Sequence, residues 1–345
     1  MLAASLRGSG SLRIPKVFKE IYAFSNLYEA YLKARKQKRY RKEVLEFSHN
    51  LENELIKMQD ELIHRTYKVG EYRAKIVYEP KKRMIVALPF RDRIVQHALN
   101  TYIEPYFDKR MLHDSYACRA GKGTHKAAKR LGYFLGKQGL HYYLKADIKK
   151  YFASIDHDIL KDIIRRTIDD EDVLWLIDTI IDSAPDTGLP IGNLMSQLFA
   201  NVYLHEVDHY FKNHLGVKYY IRYMDDIVIL HESKIELHKL HRVLKAFCES
   251  ELKLSLNEKT RVGKTSEGVT FVGYRIWDDK KLIKKQSIDR MKKKFRAWKA
   301  GKIRDADYIA SLGSWIGHSY DTASHRVVET MLYKTVHILY TRGRS

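Results

Sequence analysis

Apolar positions recur at helical spacing across residues 17–66. Phe24, Leu27, Ala30 and Tyr31 form one such set, and Leu45, Phe47, Leu51, Leu55 and Met58 another. The period shortens after residue 70. Tyr72 to Tyr78 and Met84 to Leu88 read as strands around Glu79-Pro-Lys-Lys-Arg83, where Pro80 opens a turn. This predicts a hairpin with a basic tip. Helical patterns return over 92–108 and 124–137. Tyr142-Tyr-Leu-Lys-Ala-Asp-Ile148 then reads as a strand ending near Asp147, with a helix from about His157 capped by Asp156 or Asp158.

The second half follows the same logic. Gly188-Leu-Pro-Ile-Gly-Asn193 reads as a loop feeding a long apolar helix through Met195, Leu198, Phe199, Val202 and Leu204. Tyr219 to Tyr223 and Ile227 to Leu230 are short strands flanking Met224-Asp-Asp226, a hairpin with acids at its turn. A helix over 234–252, a strand over 269–276 and a mostly helical segment 280–345 complete the pattern. Strands and helices mix without repeats or low-complexity linkers. The expected class is α+β, with helices packed on one face of an antiparallel sheet.

The acids stand out against this pattern. Adjacent carboxylates repel unless solvated or shared by a cation, and an isolated Asp-Asp is usually an exposed turn. Here apolar strands flank Asp225 and Asp226, which places them over the sheet. Asp147 has a similar setting. Three carboxylates on adjacent strand ends can hold two magnesium ions about 3.5–4 Å apart. Magnesium favours carboxylate and phosphate oxygens and keeps some waters, so few protein ligands suffice.

Charge sharpens the picture. The 345 residues carry 63 Lys and Arg against 42 Asp and Glu, a formal net charge of +21. Such an excess suits a phosphate backbone. Lys33, Arg35, Lys36, Lys38, Arg39, Arg41 and Lys42 crowd one ten-residue stretch. It reads as a solvated face or as a backbone clamp, and the lack of acids within it favours the clamp. No apolar run approaches the roughly 20 residues of a spanning helix. Cys118 and Cys248 are far apart, and neither HExxH nor CxxC occurs, so a zinc site and a disulfide framework are not expected. The acid-free start, Met1 to Lys16, reads as a disordered lead-in, with a faint likeness to a transit peptide as the alternative.

In order and spacing, these motifs resemble the reverse transcriptase family. The basic hairpin at 79–83 and Leu88-Pro-Phe-Arg-Asp-Arg-Ile-Val-Gln-His97 resemble its fingers motifs. Lys145-Ala-Asp-Ile-Lys-Lys-Tyr-Phe152, the stretch from Gly188 to Gln197, and Tyr223-Met-Asp-Asp226 resemble the first three palm motifs. Leu256-Asn-Glu-Lys-Thr260 and Phe271-Val-Gly-Tyr274 resemble the next two. Pro190-Ile-Gly-Asn-Leu-Met-Ser-Gln197 is similar to the form found in diversity-generating retroelements, with Met195 in place of a threonine. Asn26-Leu-Tyr-Glu-Ala30, Tyr116-Ala-Cys-Arg-Ala-Gly-Lys-Gly-Thr-His125 and Trp315-Ile-Gly-His318 fit the same subfamily.

The resemblance implies a right-hand fold of fingers, palm and thumb. Residues 1–66 would be a helical extension, 67–140 fingers, 141–277 a palm sheet covered by helices, and 278–345 a basic helical thumb. Asp147, Asp225 and Asp226 would be catalytic and hold two Mg2+, or Mn2+ in their place, with the backbone carbonyl of Ile148 added. Arg83 with Lys81 or Lys82 would grip the triphosphate. Phe152 is either a gate against a 2′-hydroxyl or core packing. Lys259 is either a proton donor to pyrophosphate or an exposed lysine.

Ile191, Gly192 and Gln197 would line the nucleotide pocket. The isoleucine removes a polar contact that family members with glutamine keep, so a less selective pocket is expected. In the family, errors concentrate opposite template adenines. Lys292, Lys293, Lys294, Arg296 and Lys299 would hold the template–primer backbone. Implied partners are template RNA, primer or cDNA, deoxynucleoside triphosphates and a small basic accessory protein, in the cytoplasm of a bacterium or phage host. About 65 residues follow Trp277, which leads one to expect no RNase H, maturase or endonuclease domain. Rival readings are a retron, short intron-type or phage-defence reverse transcriptase, a silent RNA-binding protein, and a two-metal nuclease.

Overall fold

The computed structural model describes residues 14–77, 83–185 and 187–342. The chain opens with α1 (Phe18–Tyr22), α2 (Phe24–Ala34), α3 (Lys42–His49) and α4 (Leu51–Ile63). Leu27, Ala30, Tyr31, Leu55 and Met58 from the expected helical faces are buried. β1 (Arg73–Val77) and β2 (Arg83–Ala87) form the expected antiparallel hairpin. Its tip, with Lys81 and Lys82, lies outside the described residues. α5 (Phe90–Arg110) and α6 (Thr124–Leu135) follow.

β3 (Tyr142–Asp147) leads through a 3-10 turn at Tyr151–Ser154 to α7 (His157–Arg165). Of the two candidate caps, Asp156 does the capping, accepting the amide of Ile159 at 3.1 Å. α8 (Glu171–Asp182) is a helix beyond those expected from the sequence. Asp170 caps it, and the other oxygen of Asp170 accepts the amides of Val17 and Phe18 at 2.9 and 3.2 Å. One buried carboxylate thus fixes two helix starts far apart in sequence.

α9 (Leu194–His209) is buried on most sides. β4 (Tyr220–Tyr223), β5 (Asp226–His231), α10 (Lys234–Leu252) and β6 (Arg261–Lys264) complete the central unit. Its antiparallel sheet runs β4-β5-β3-β6. Side chains alternate across it, as strand geometry requires. Leu144, Ala146, Ile227 and Ile229 face the main core with α9 and α10. Tyr143, Ile221, Val228 and Leu230 face α6 and a second sheet. Helices therefore dominate one face, while helix and sheet share the other.

That second sheet corrects one expectation. Residues 269–276 were expected to form one strand, yet they fold as β7 (Val269–Phe271) and β8 (Tyr274–Ile276), paired antiparallel. Val272 and Gly273 make a two-residue turn with φ of 44° and 91°. Positive φ at both positions is the I′ pattern that matches strand twist. β9 (Lys281–Ile283) adds a third strand. α11 (Lys285–Lys299), α12 (Asp305–Ser319) and α13 (His325–Arg342) then pack around Met291, Trp298, Tyr308, Leu312, Trp315 and Met331. Trp298 stacks on Tyr308 at 4.3 Å. His318 stacks on Tyr274 at 4.4 Å and ties this helical unit to the β7–β8 hairpin. Among the described residues no helix is long and apolar enough to cross a membrane.

Candidate active site

β3 and β5 pair so that Asp147 stands opposite Asp226. β4 and β5 pair so that Tyr223 also stands opposite Asp226. Only Met224 and Asp225 remain for the turn, so Asp226 begins a strand rather than lying at the tip. Directly opposed residues share a face, with Cβ atoms about 4.5–5.5 Å apart. Asp147 and Asp226 therefore project from the same side of the sheet, and Asp225 immediately precedes Asp226 in the turn.

Lys145 is two residues before Asp147 and so on the same face. Its ammonium donates to Asp226 Oδ2 at 3.0 Å and to the Thr270 carbonyl at 2.5 Å. The other oxygen, Oδ1, is buried without a hydrogen-bond partner. Burial pushes the Asp226 carboxyl up to about 6; Lys145 works against this, and Asp147 and Asp225 reinforce it. A buried carboxylate oxygen without a donor is a position that a cation satisfies. The hard oxygen donors here suit a magnesium-like ion. Among the described residues no three His, Cys, Asp or Glu are already gathered as a metal cluster. Mutual repulsion and the claim of Lys145 on Asp226 oppose such a gathering.

The surrounding loops bring the other expected residues to this end of the sheet. Ile148 is buried and bridges Leu256, while the Asn257 amide donates to the Asp147 carbonyl at 2.7 Å. Lys259 is exposed two residues further on, with its amide donating to Asn257 Oδ1. Phe152 is half-buried, edge-on to Tyr151 at 5.7 Å. Its carbonyl accepts the Leu189 amide at 2.6 Å, which docks the 188–193 loop against it. Gly188 has φ of 94°, and a Cβ there would meet Ala153 Cα at 2.9 Å.

The carbonyl of Ile191 accepts the Val86 amide of β2 at 3.3 Å, and Gln96 Oε1 accepts the Met195 amide at 3.3 Å. Ile191 and Gln197 are half-buried and Gly192 is exposed. Arg83 is the first residue of β2, the strand held to this loop. By contrast, Arg91 and Arg93 of the 88–97 stretch are bound to Glu61 and Glu43.

The two basic sets lie on other elements. Lys33 reaches Thr101, Arg35 packs on Tyr31, and Lys42 lies 3.6 Å from Glu46. Lys36, Arg39 and Arg41 are exposed in the turn between α2 and α3. Lys38 is half-buried, and burial, with Arg93 and Arg41 nearby, lowers its pKa. On α11, Lys292, Lys293, Arg296 and Lys299 are exposed and Lys294 is half-buried.

Two contributors were not evident in the sequence. Lys145 carried a usable signal, since strand period two puts it beside Asp147. Arg222, fully buried and bound to Asp208 of α9, carried none, because its partner is distant and outside every motif.

Comparisons with known proteins agree with this geometry. The family described as reverse transcriptase (RNA-dependent DNA polymerase) matches residues 75–276. Protein YkfC of Escherichia coli K12 is 28% identical over 272 residues, covering 65% of this chain and 71% of that protein. The group II intron-encoded protein LtrA of Lactococcus lactis subsp. cremoris is 24% identical over 269 residues, covering 57% and 45% respectively. The chain thus spans less than half of that intron-encoded relative. The solved apo telomerase of Candida tropicalis superposes with a TM-score of 0.52 at 15% identity, over 79% of this chain and 58% of that one, a likeness of fold. The match to the family over more than half of its length, on a fold and motif order that agree with it, makes this chain a member of the reverse transcriptase family.

Proposed function

We propose that this chain copies a template RNA into DNA by two-metal nucleotidyl transfer, as the error-prone polymerase of a diversity-generating retroelement. The observation that carries the polymerase reading is the cross-strand pairing of Asp147 with Asp226, beside Asp225 in a two-residue turn. Asp147, Asp225, Asp226 and the carbonyl of Ile148 would hold the metal. When bound, two Mg2+ or Mn2+ ions supply Lewis acidity at the primer hydroxyl and at the departing pyrophosphate.

The other roles belong to the protein. Phe152, held by its turn and by Leu189, closes the space a 2′-hydroxyl would need. Arg83, with Lys81 or Lys82, binds the triphosphate. Lys259 offers a proton to pyrophosphate. Ile191 presents an apolar surface where a polar side chain would discriminate more steeply, which suits an error-prone pocket. The turn between α2 and α3, and α11, grip the nucleic-acid backbone. Residues 67–140, 141–277 and 278–345 serve as fingers, palm and thumb, with 1–66 as an extension. A small basic accessory protein and a cytoplasmic location belong to this reading.

The likeness to LtrA, a group II intron-encoded protein, favours a second reading, an intron-type bacterial reverse transcriptase. Sequencing the cDNA made on a defined RNA, with and without the neighbouring accessory protein, separates the two. Errors clustered opposite adenine support the retroelement; accurate cDNA moves the assignment to the intron-type enzyme.

A further inference from the structure

The turn that carries Asp225 is supported from behind by a buried polar assembly. Arg222 is fully buried on β4, on the face opposite Tyr223. Its Nε and Nη2 donate to the two oxygens of Asp208 at 2.7 and 2.6 Å. Asp208, also fully buried, accepts the Tyr220 hydroxyl at 2.6 Å. The remaining guanidinium nitrogen, Nη1, donates to Asn201 Oδ1 at 3.2 Å and to the Met224 carbonyl at 3.0 Å. Asn201 in turn donates to the Ala117 carbonyl at 2.8 Å. The backbone of Arg222 is held on both sides, its amide by Asp114 and its carbonyl by Tyr116.

The Met224 carbonyl belongs to the central peptide of the two-residue turn. Met224 has φ of 54°, and of the two turn residues it alone is at positive φ. This is the pattern of a II′ turn, where glycine is normally preferred. Rotation of the central peptide is what separates one two-residue turn type from another, and it redirects the side chain that follows. A methionine at positive φ persists only where its surroundings over-determine it. The hydrogen bond from Arg222 is such a constraint, applied to the plane that precedes Asp225.

A buried arginine–carboxylate pair is often no more stabilising than apolar residues of similar volume. Stability alone therefore does not explain this one. We propose that Arg222, oriented by Asp208, is a positioning residue that sets the peptide plane of the Met224–Asp225 turn and hence the placement of Asp225. The inference rests on reading Asp225 as a catalytic carboxylate.

Two variants test it by single-nucleotide incorporation on primed RNA. The double variant Arg222→Met/Asp208→Leu replaces the pair with apolar volume. Arg222→Lys keeps the charge for Asp208 but lacks the fork that also reaches Met224. Both are expected to remain folded, with melting temperatures lowered by the buried polar groups left without partners, and to lose about 10²-fold in kcat, the scale of a misplacement of roughly 1 Å. KM for the nucleotide is expected to stay within about twofold, because the triphosphate contacts lie elsewhere. Folded variants with kcat within about threefold of wild type would overturn the proposal. Loss of folding in both would overturn it too, since the pair would then serve the core and not the turn. Asp225→Ala runs in parallel: if it retains incorporation, the catalytic reading fails, whereas if it is inactive and the clamp variants are active, only the positioning role fails.

Discussion

At the scale of single residues, charge is handled by placement. Asp226 keeps one oxygen on Lys145 and one without a donor, so its chemistry is poised for a cation. His205 shows the opposite case. Burial lowers its pKa to about 4, and Nδ1 has no hydrogen-bond partner. The folded state then holds the His205 proton less tightly than the unfolded state does. Its contribution to stability is complete above pH 6.5 and is lost as pH falls towards 4, by roughly 3 kcal/mol in all. Asp226 has the opposite sign between about pH 4 and 6, so the comparison must be with a variant. His205→Gln is expected to flatten the acid limb of the stability curve relative to wild type, read by urea unfolding at pH 7 and pH 5.

Phe152 supplies a second expectation at this scale. Phe152→Ala should lower discrimination against ribonucleotides by about tenfold or more, measured as the ratio of kcat/KM values. An unchanged ratio would return Phe152 to plain packing. The three aspartates stand out in the sequence because apolar strands end or begin beside them. Asp208 does not, since nothing local distinguishes a buried partner of a distant arginine from a helix-surface acid.

At the scale of elements, period and punctuation were readable and sheet membership was not. The α10 boundaries follow from local signals, and the cap of α7 is narrowed by them to Asp156 or Asp158, of which the structure uses Asp156. In sequence the β7–β8 hairpin resembles one strand, because Val272-Gly273 lacks the usual Asn or Asp before glycine. α8 carries Val173, Leu174, Ile177, Ile180 and Ile181 at helical spacing but lies outside every motif, and β6 is too short and too polar to declare itself. Gly188 is an element-scale constraint on the site. It lies at positive φ, and a side chain there would press on the Ala153 backbone. Gly188→Ala is expected to cost about 1–3 kcal/mol in thermal or urea unfolding and to weaken nucleotide binding through the displaced 188–193 loop. A variant with wild-type stability and KM would show that the loop is not held by this contact.

At the scale of the molecule, the net charge of +21 is spread over distinct elements, and only part of it is available to a partner. Of the basic run at 33–42, Lys33, Lys36, Arg39, Arg41 and Lys42 are exposed, with Lys33 and Lys42 each near a neighbouring side chain, whereas Arg35 and Lys38 are half-buried. Replacing Lys36, Arg39 and Arg41 by serine should weaken RNA binding and reduce the slope of log K against log salt by roughly 2, at about 0.7 for each phosphate no longer neutralised. An unchanged slope would remove this turn from the interface. The right-hand architecture could be anticipated from motif order, while the packing of α6 and the small sheet on the second face of the central sheet depended on long-range contacts that no local pattern encodes. The most direct test of the polymerase assignment is deoxynucleotide incorporation on primed RNA with Mg2+, comparing wild type with Asp147→Ala, Asp225→Ala and Asp226→Ala. The expected result is DNA from the wild type and a loss of at least about 10³-fold in Asp147→Ala and Asp225→Ala, with Asp226→Ala also impaired, in proteins that remain folded. Undiminished synthesis by folded Asp147→Ala or Asp225→Ala protein would contradict it.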